Sequence, residues 1–458
     1  MIREESRVLL VVCLGTFFHI QSVGSISVSL AAIQKEFDTT LAAVQWIGLM
    51  GSIMLSSLSL CFGRAGDLIG RRTIFKVGIA LYTAGAGCAS FSGTFPQLLA
   101  FRCLMALGLV MAAPMAAAII AFVYGHEHRG RALGLLAASI ALGRTTGPTI
   151  GGFILQLWSW RAVFLANCIF GIATCLTLFF IFRGTEERRR VSVDYWGVVS
   201  LVIGFPSLLI ALTVGTRQGW DGSAIGLWLA LAGAGIGSFV WRELRAESPL
   251  MNLRYFSSIS FTRSMLSLVL ATLAFYPVSI FGPLYLLNVV GTSPLATGLA
   301  MATLPLCTTL LSPLSGRLAD RFNPRWVAIL GLCTILLGVF FYAKLDENST
   351  LLWIILVLSI LGAGIGLFVP GNEKAVFSTV PSQDYGMVSA MLIAFGTGSG
   401  ALGTTVAVAL AEAAKKSRLG TDAVAFAHDQ QFAFMLLLPL AALAVLVTMV
   451  GKREQWLN

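Results

Sequence analysis

Apolar residues along this chain gather in long blocks instead of alternating with polar ones. A membrane-crossing helix needs about 20 mostly apolar residues. Fourteen blocks qualify: residues 8–31, 44–62, 74–93, 98–122, 132–155, 162–182, 197–215, 224–241, 263–288, 296–315, 326–343, 352–372, 387–411 and 433–451. The longest hydrophilic stretches between them are Thr185–Tyr195, Arg242–Ser260 and Glu412–Gln431, none long enough for a soluble domain. The first block, Val8 to Ile33, is too long for a signal-peptide core and reads as the first span. The pattern predicts an all-α integral membrane protein with 14 transmembrane helices.

Charge sets the orientation. Only 11% of the residues are charged and 57% are hydrophobic, with a mean hydropathy of +0.85; a soluble protein carries about 25% charge. The net charge of +10 would suggest nucleic acid in a soluble protein. Here position explains it. Fourteen spans put both termini on one side; 22 of the 31 Lys and Arg fall on that side, 7 on the other, and 2, Arg102 and Arg144, inside spans. The bias predicts cytoplasmic termini and no nucleic-acid partner. The eight Cys fall mostly inside apolar segments, without CxxC or metal-ligand spacing, so no metal or cofactor is expected.

One internal repeat stands out. GRAGDLIGRR (63–72) follows the second span and GRLADRFNPR (316–325) the tenth, an offset of 253 positions, from 63 to 316. Gly63, Asp67 and Arg72 recur as Gly316, Asp320 and Arg325. A loop repeated at corresponding places in two halves marks a transporter built from duplicated bundles. The expected organisation is a six-helix bundle over 1–183, an inserted helix pair within 184–260, and a second six-helix bundle over 261–458.

These motifs make the chain resemble the major facilitator superfamily, in particular its 14-helix drug:proton antiporter branch. The superfamily's loop motif is present as Gly63, Asp67, Gly70, Arg71 and Arg72. The motif of the fifth span is present as Gly143, Gly147, Pro148, Gly151 and Gly152. Arg102 is kept from the fourth-span motif, but Met105 and Ala106 replace its usual Gln and Gly. Trp160–Arg161 with Phe164 and Asn167, Asp194 with Gly197, Gly219–Trp220 and Pro249–Leu250 also look like that branch. The resemblance implies alternating access between two bundles, with the loops over 63–72 and 316–325 as gating latches and the fifth span as a moving packing face. The residues fit: loop glycines permit close approach of helices, and Asp67 is placed to cap or pair near a helix start. Gly147 and Gly151 lie four apart on one helix face. Pro148 leaves the carbonyl of residue 144 without its helical partner, which predicts a bend beside Arg144.

One departure bears on function. The branch carries an acidic residue in its first span; here Ser22 stands in its place. All 21 Asp and Glu lie in loops or near span ends, Glu373 and Glu412 being the nearest to a membrane edge. Exchange of a cation for protons needs a group that holds either one, and a buried carboxylate does so. Arg stays protonated and repels cations. On residue chemistry, Arg102 and Arg144 without an acid favour anionic or lipid-like substrates over lipophilic cations. Arg144 lies about twelve residues from each end of its span, roughly 17 Å at 1.5 Å per residue, too far to snorkel easily; its roles are lining a substrate cavity or holding carbonyls freed near Pro148. Arg102 is nearer a membrane edge, where snorkelling competes with a cavity role. His19, with Gln21 and Ser22 nearby, is the first candidate for carrying a proton, or else a neutral hydrogen-bonding residue between helices; Glu373 is the second candidate.

The function expected is secondary active, efflux-type transport of amphipathic small molecules by a monomer in a bacterial or archaeal cell membrane, with membrane lipids around it and protons as the candidate coupling ion. A proton-coupled exporter of lipophilic cations is the alternative of the same class. A transport-inactive sensor or scaffold is the alternative of another class, disfavoured because a scaffold needs no latch. An enzyme is not expected: no P-loop, HExxH or nucleophile elbow with suitable partners is present.

Overall fold

The computed structural model describes residues 2–124, 126–182, 195–218, 222–245, 251–381, 384–416 and 423–450, apart from the side chains of 2–4, 60, 64, 67, 126–130, 195, 216–218, 415, 416 and 423. Among the described residues the chain forms fifteen α-helices and one short 3-10 turn. In order they are α1 (Ile2–Glu36), α2 (Leu41–Ile69), α3 (Arg71–Ser90), α4 (Phe95–Val123), α5 (His126–Leu157), α6 (Trp160–Ile181), α7 (Tyr195–Gln218) and α8 (Ser223–Glu243). The turn Leu253–Ser257 follows, then α9 (Ile259–Phe275), α10 (Val278–Asn288), α11 (Pro294–Arg321), α12 (Pro324–Tyr342), α13 (Leu351–Phe377), α14 (Tyr385–Lys416) and α15 (Ala423–Met449).

Twelve segments are long and apolar enough to cross a membrane by length and composition. One of them, Ile259–Asn288, contains both α9 and α10. Pro277 has no N–H to continue the ladder, so a single traverse breaks at Tyr276–Pro277. The helices outside that set are α3 and α5. Arg71, Arg72 and Lys76 lower the hydropathy of α3, and glycine, threonine and Arg144 that of α5. Counting these two, the chain makes fourteen traverses. It therefore returns to the face on which α1 begins, here the proximal face; the opposite face is distal.

Short polar residues start many helices. Thr40, Thr94, Ser293, Asn323 and Thr350 each accept a first-turn N–H through the side chain, which satisfies a donor that has no intrahelical partner. Gly70 ends α2 and starts α3 at φ 112°, a backbone region that L side chains rarely adopt.

Helices α1–α6 pack on one another, as do α9–α15. The two groups meet along two main seams, α5 against α11 and α2 against α14, and α10 also packs on α1. Helices α7 and α8 pair with each other, and α7 lies against α2 and α14. Phe205 of α7 joins Leu49, Ile53 and Ala401 in a small apolar cluster at that second seam.

The distal face is tied down within α1–α6. The Glu36 carboxylate accepts the Trp160 indole N–H at 2.6 Å and the Arg161 guanidinium at 2.5 Å. Arg161 also donates to the carbonyl of Ser92, so α1, α3 and α6 share one polar knot. On the proximal face Tyr255 donates to Asp384, and that carboxylate together with burial pushes the phenol's pKa up to about 12.

Candidate functional site

Helix α5 is the pivot of the site because glycine lets two neighbours touch its backbone. On one side, a Cβ at Gly143 would lie 2.8 Å from the Phe17 carbonyl, and one at Gly147 would lie 2.5 Å from that of Gln21. A Cβ at Gly151 would strike the backbone of Ser25. These three glycines seat α5 on α1, and Ser25 Oγ donates to the Gly147 carbonyl at 2.9 Å. On the other side, Gly152 abuts Pro294, and the Pro148 carbonyl abuts Gly298. Those contacts make the α5–α11 seam. They lie from the middle of α5 to its distal end.

Arg144 stands one turn nearer the proximal face, between the positions that meet α1 and those that meet α11. Its side chain is exposed. Glu373, also exposed, lies on α13, where Gly362 and Gly366 pack on Leu304 and Thr308 of α11. The Arg144 guanidinium acts electrostatically on Glu373. Opposite charges from the two helix groups thus lie on helices that both pack on α11, without a direct ion pair between them. The sequence places Glu373 near a span end and leaves Arg144 without an acid; the packing of α5 and α13 on α11 puts that carboxylate within the arginine's electrostatic reach.

The other residues singled out in the sequence do not join this pair. His19, Gln21, Ser22 and Arg102 are buried within α1–α6. Ser22 donates to the His19 carbonyl at 2.7 Å and accepts the Tyr82 hydroxyl. The His19 ring meets Tyr82 edge-on, with centroids 4.2 Å apart. His19, Tyr82 and Asn167 line a cavity of about 10 Å³, the size of one water. His19 Nε2 and Asn167 Nδ2 have no hydrogen-bond partner among the described residues, so a water there would satisfy both. Gln21 donates to Ser25 at 2.5 Å. Arg102 donates from Nε and Nη2 to the Ile47 carbonyl at 3.2 and 2.9 Å, fastening α4 to α2. It does not snorkel; backbone solvates it.

The repeated loops sit at proximal helix ends. In the second copy, Lys374 pairs with Asp320 at 2.5 Å and donates to the Ala319 carbonyl at 2.7 Å. Arg325 donates to the carbonyls of Thr448 and Met449, the last turn of α15, a favourable place for a cation. In the first copy, Arg71 donates to the Ala118 carbonyl at 3.5 Å and lies over Phe122, while Arg72 lies over Phe182. The Asp67 side chain lies outside the described residues. Close helix approach at the loop glycines is seen only in part. A Cβ at Gly66 would meet Met115, but nothing lies within 4 Å of one at Gly63 or Gly316.

Two helix groups that meet on bare backbone at the α5–α11 seam fit the architecture of alternating access. The profile of the Major Facilitator Superfamily matches residues 12–261 and 264–455. The chain belongs to the Major Facilitator Superfamily. As a member of it, the chain is a secondary transporter, and its relatives accord with the drug:proton antiporter branch that the motifs resemble. It is 27% identical to the multidrug resistance protein Stp of Mycobacterium tuberculosis, over 90% of this chain and 76% of that one. It is 26% identical to the lincomycin resistance protein LmrB of Listeria monocytogenes, over 88% and 86% of the two chains. The riboflavin transporter RibZ of Clostridioides difficile is 25% identical over 88% and 87%. Among solved structures, a bacterial homologue of the human lysosomal transporter Spinster, inward-facing and unoccupied, superposes with a TM-score of 0.71 at 16% identity, covering 97% and 96% of the chains. The peptide transporter POT in complex with sulfate does so with a TM-score of 0.72 at 15% identity, over 96% and 93%. A transport-inactive scaffold is not favoured.

Sequence reasoning missed Tyr82 and Lys374, and gave Asn167 only as a residue that looks like the branch. Tyr82 and Lys374 have no motif of their own, and each acquires a partner only through helix packing. Lys374 had one available signal, its place directly after Glu373.

Proposed function

We propose that this superfamily member exports amphipathic small molecules in exchange for protons. Glu373 holds either the proton or the cationic or hydrogen-donating centre of the substrate, and Arg144 is its counter-charge across the cleft. The observation that carries this reading is that Arg144 and Glu373 are both exposed, on helices of opposite groups that each pack on α11, with the arginine near enough to act on the carboxylate. Exchange requires that proton and substrate compete for one group, and a carboxylate facing the cleft meets that requirement. The names of the relatives, multidrug resistance protein and lincomycin resistance protein, support efflux of bulky compounds. The protein works as a monomer in a bacterial or archaeal cell membrane with both termini cytoplasmic, so the closed distal face looks outward. Residues 1–183 and 261–458 act as the two moving bundles, and the helix pair within 184–260 rides on the α2–α14 seam. Arg102, His19, Gln21 and Ser22 support the first bundle from within, and the loops over 63–72 and 316–325 act in gating.

The exposed Arg144 favours a second reading, an anionic or lipid-like substrate. An acid would bind Arg144 best when Glu373 is protonated, so it would travel with the proton instead of against it. The sign of coupling therefore separates the readings. In proteoliposomes with an imposed pH gradient, a cationic dye should move opposite to protons, and Glu373→Gln should abolish that drive. Movement of an anionic probe in the same direction as protons, with no response from the cation, would establish the second reading in its place.

A further inference from the structure

The two seams are closed at the distal face by one device, used twice. At the start of α2, Thr40 accepts the Ala43 N–H through its hydroxyl at 3.3 Å, and the Ala42 N–H donates to Glu412 Oε1 of α14 at 3.2 Å. At the start of α11, Ser293 accepts the Ala296 N–H at 3.2 Å, and the Leu295 N–H donates to Gln156 Oε1 of α5 at 3.2 Å. Thr40 and Ser293, Ala42 and Leu295, and Ala43 and Ala296 are each 253 positions apart, the offset of the loop repeat.

The chemistry explains why the second acceptor comes from across the seam. The first four N–H groups of a helix have no acceptor within it. The N-cap side chain takes the third N–H in both helices. The second is left over, and each seam supplies a side-chain oxygen to it from the opposite helix group. Such a bond suits a gate. It adds to the backbone contacts of Gly152 with Pro294 and of Pro148 with Gly298, yet breaking it costs the helix none of its own bonds, and water can take its place.

We propose that Gln156 and Glu412 are gate residues of the transport cycle. Their caps on α11 and α2 hold the distal face closed, and both break when that face opens. The two caps act as one unit because the same movement of one helix group against the other parts both seams.

Hydrogen exchange of the full-length protein in lipid nanodiscs tests this directly, because neither the Ala42 nor the Leu295 amide has an intrahelical partner. Glu412→Ala and Gln156→Ala should each raise exchange at both amides, by about fivefold, whereas Glu412→Gln and Gln156→Glu keep an acceptor and should restore protection. Ala42→Pro is a second route to the same loss. It deletes the donor without touching Glu412, and proline is accepted in a first turn, as Pro96 is in α4; it should raise exchange at Leu295. If each alanine variant deprotects only the amide it caps, or neither amide, the caps are local fastenings and the gate assignment is wrong.

Discussion

Arg144 on α5 and Glu373 on α13 belong to opposite helix groups whose helices both pack on α11, and the arginine is near enough to act on the carboxylate. Each is exposed, so neither is locked into a buried pair, and a ligand can reach both. Membrane burial makes an uncompensated charge expensive, by about 2.5–3.5 kcal/mol at the centre of a span. A nearby opposite charge offsets part of that cost.

The pair should behave as a coupled unit. Arg144→Ala should lower gradient-driven transport and Glu373→Gln should abolish it, while the reversed pair Arg144→Glu with Glu373→Arg should recover part of the loss. In a double-mutant cycle on substrate affinity the coupling should lie at about 0.5–3 kcal/mol. A coupling of zero would show that the two charges act independently.

The glycines of α5 and α2 should answer differently to the same methyl group. Gly151→Ala drives a Cβ into the Ser25 backbone, and overpacking of this kind costs about 1–3 kcal/mol. Gly63→Ala meets nothing within 4 Å and should be neutral or stabilising by about 0.5–1 kcal/mol from helix propensity alone. Thermal unfolding in detergent measures both.

His19 lies inside α1–α6 against Tyr82, away from Arg144 and Glu373. His19→Gln should therefore lower the melting temperature while leaving the proton dependence of transport in place. Loss of proton dependence with unchanged stability would move the coupling group to His19.

Tyr255 and Asp384 give a stability signature in alkali. Tyrosine ionises near 10 when unfolded, and Asp384 with burial holds Tyr255 neutral up to about 12 in the folded protein. The contact contributes fully below pH 10. Between 10 and 12 the unfolded chain releases the proton first, so the contribution falls as pH rises. The gap in melting temperature between wild type and Tyr255→Phe should be present at pH 8 and narrower at pH 11. A gap that is unchanged or wider at pH 11 contradicts the assignment.

Some features were legible because they are local. Fourteen apolar blocks and the Gly147/Gly151 spacing depend on residues near in sequence, and the helices and their close contacts follow them. The single traverse made by α9 and α10 was read as one span; its break at Pro277 was open to inspection but masked by the apolar run around it. Glu373 was read as a residue at a span edge because hydropathy reports depth along one helix and says nothing of its neighbours. The buried Arg102 also escaped a depth argument, since the Ile47 carbonyl that receives it belongs to another helix.

By itself the sequence determined an all-helical membrane protein, its fourteen traverses, the repeat at an offset of 253 and the glycine faces, because lipid demands that backbone bonds close within each helix. Only the tertiary structure decided that a carboxylate lies within reach of the Arg144 charge, that His19 packs against Tyr82, and that Gln156 and Glu412 reach across the seams to leftover N–H groups. Those facts arise between helices, where a partner hundreds of residues away supplies the charge or the acceptor.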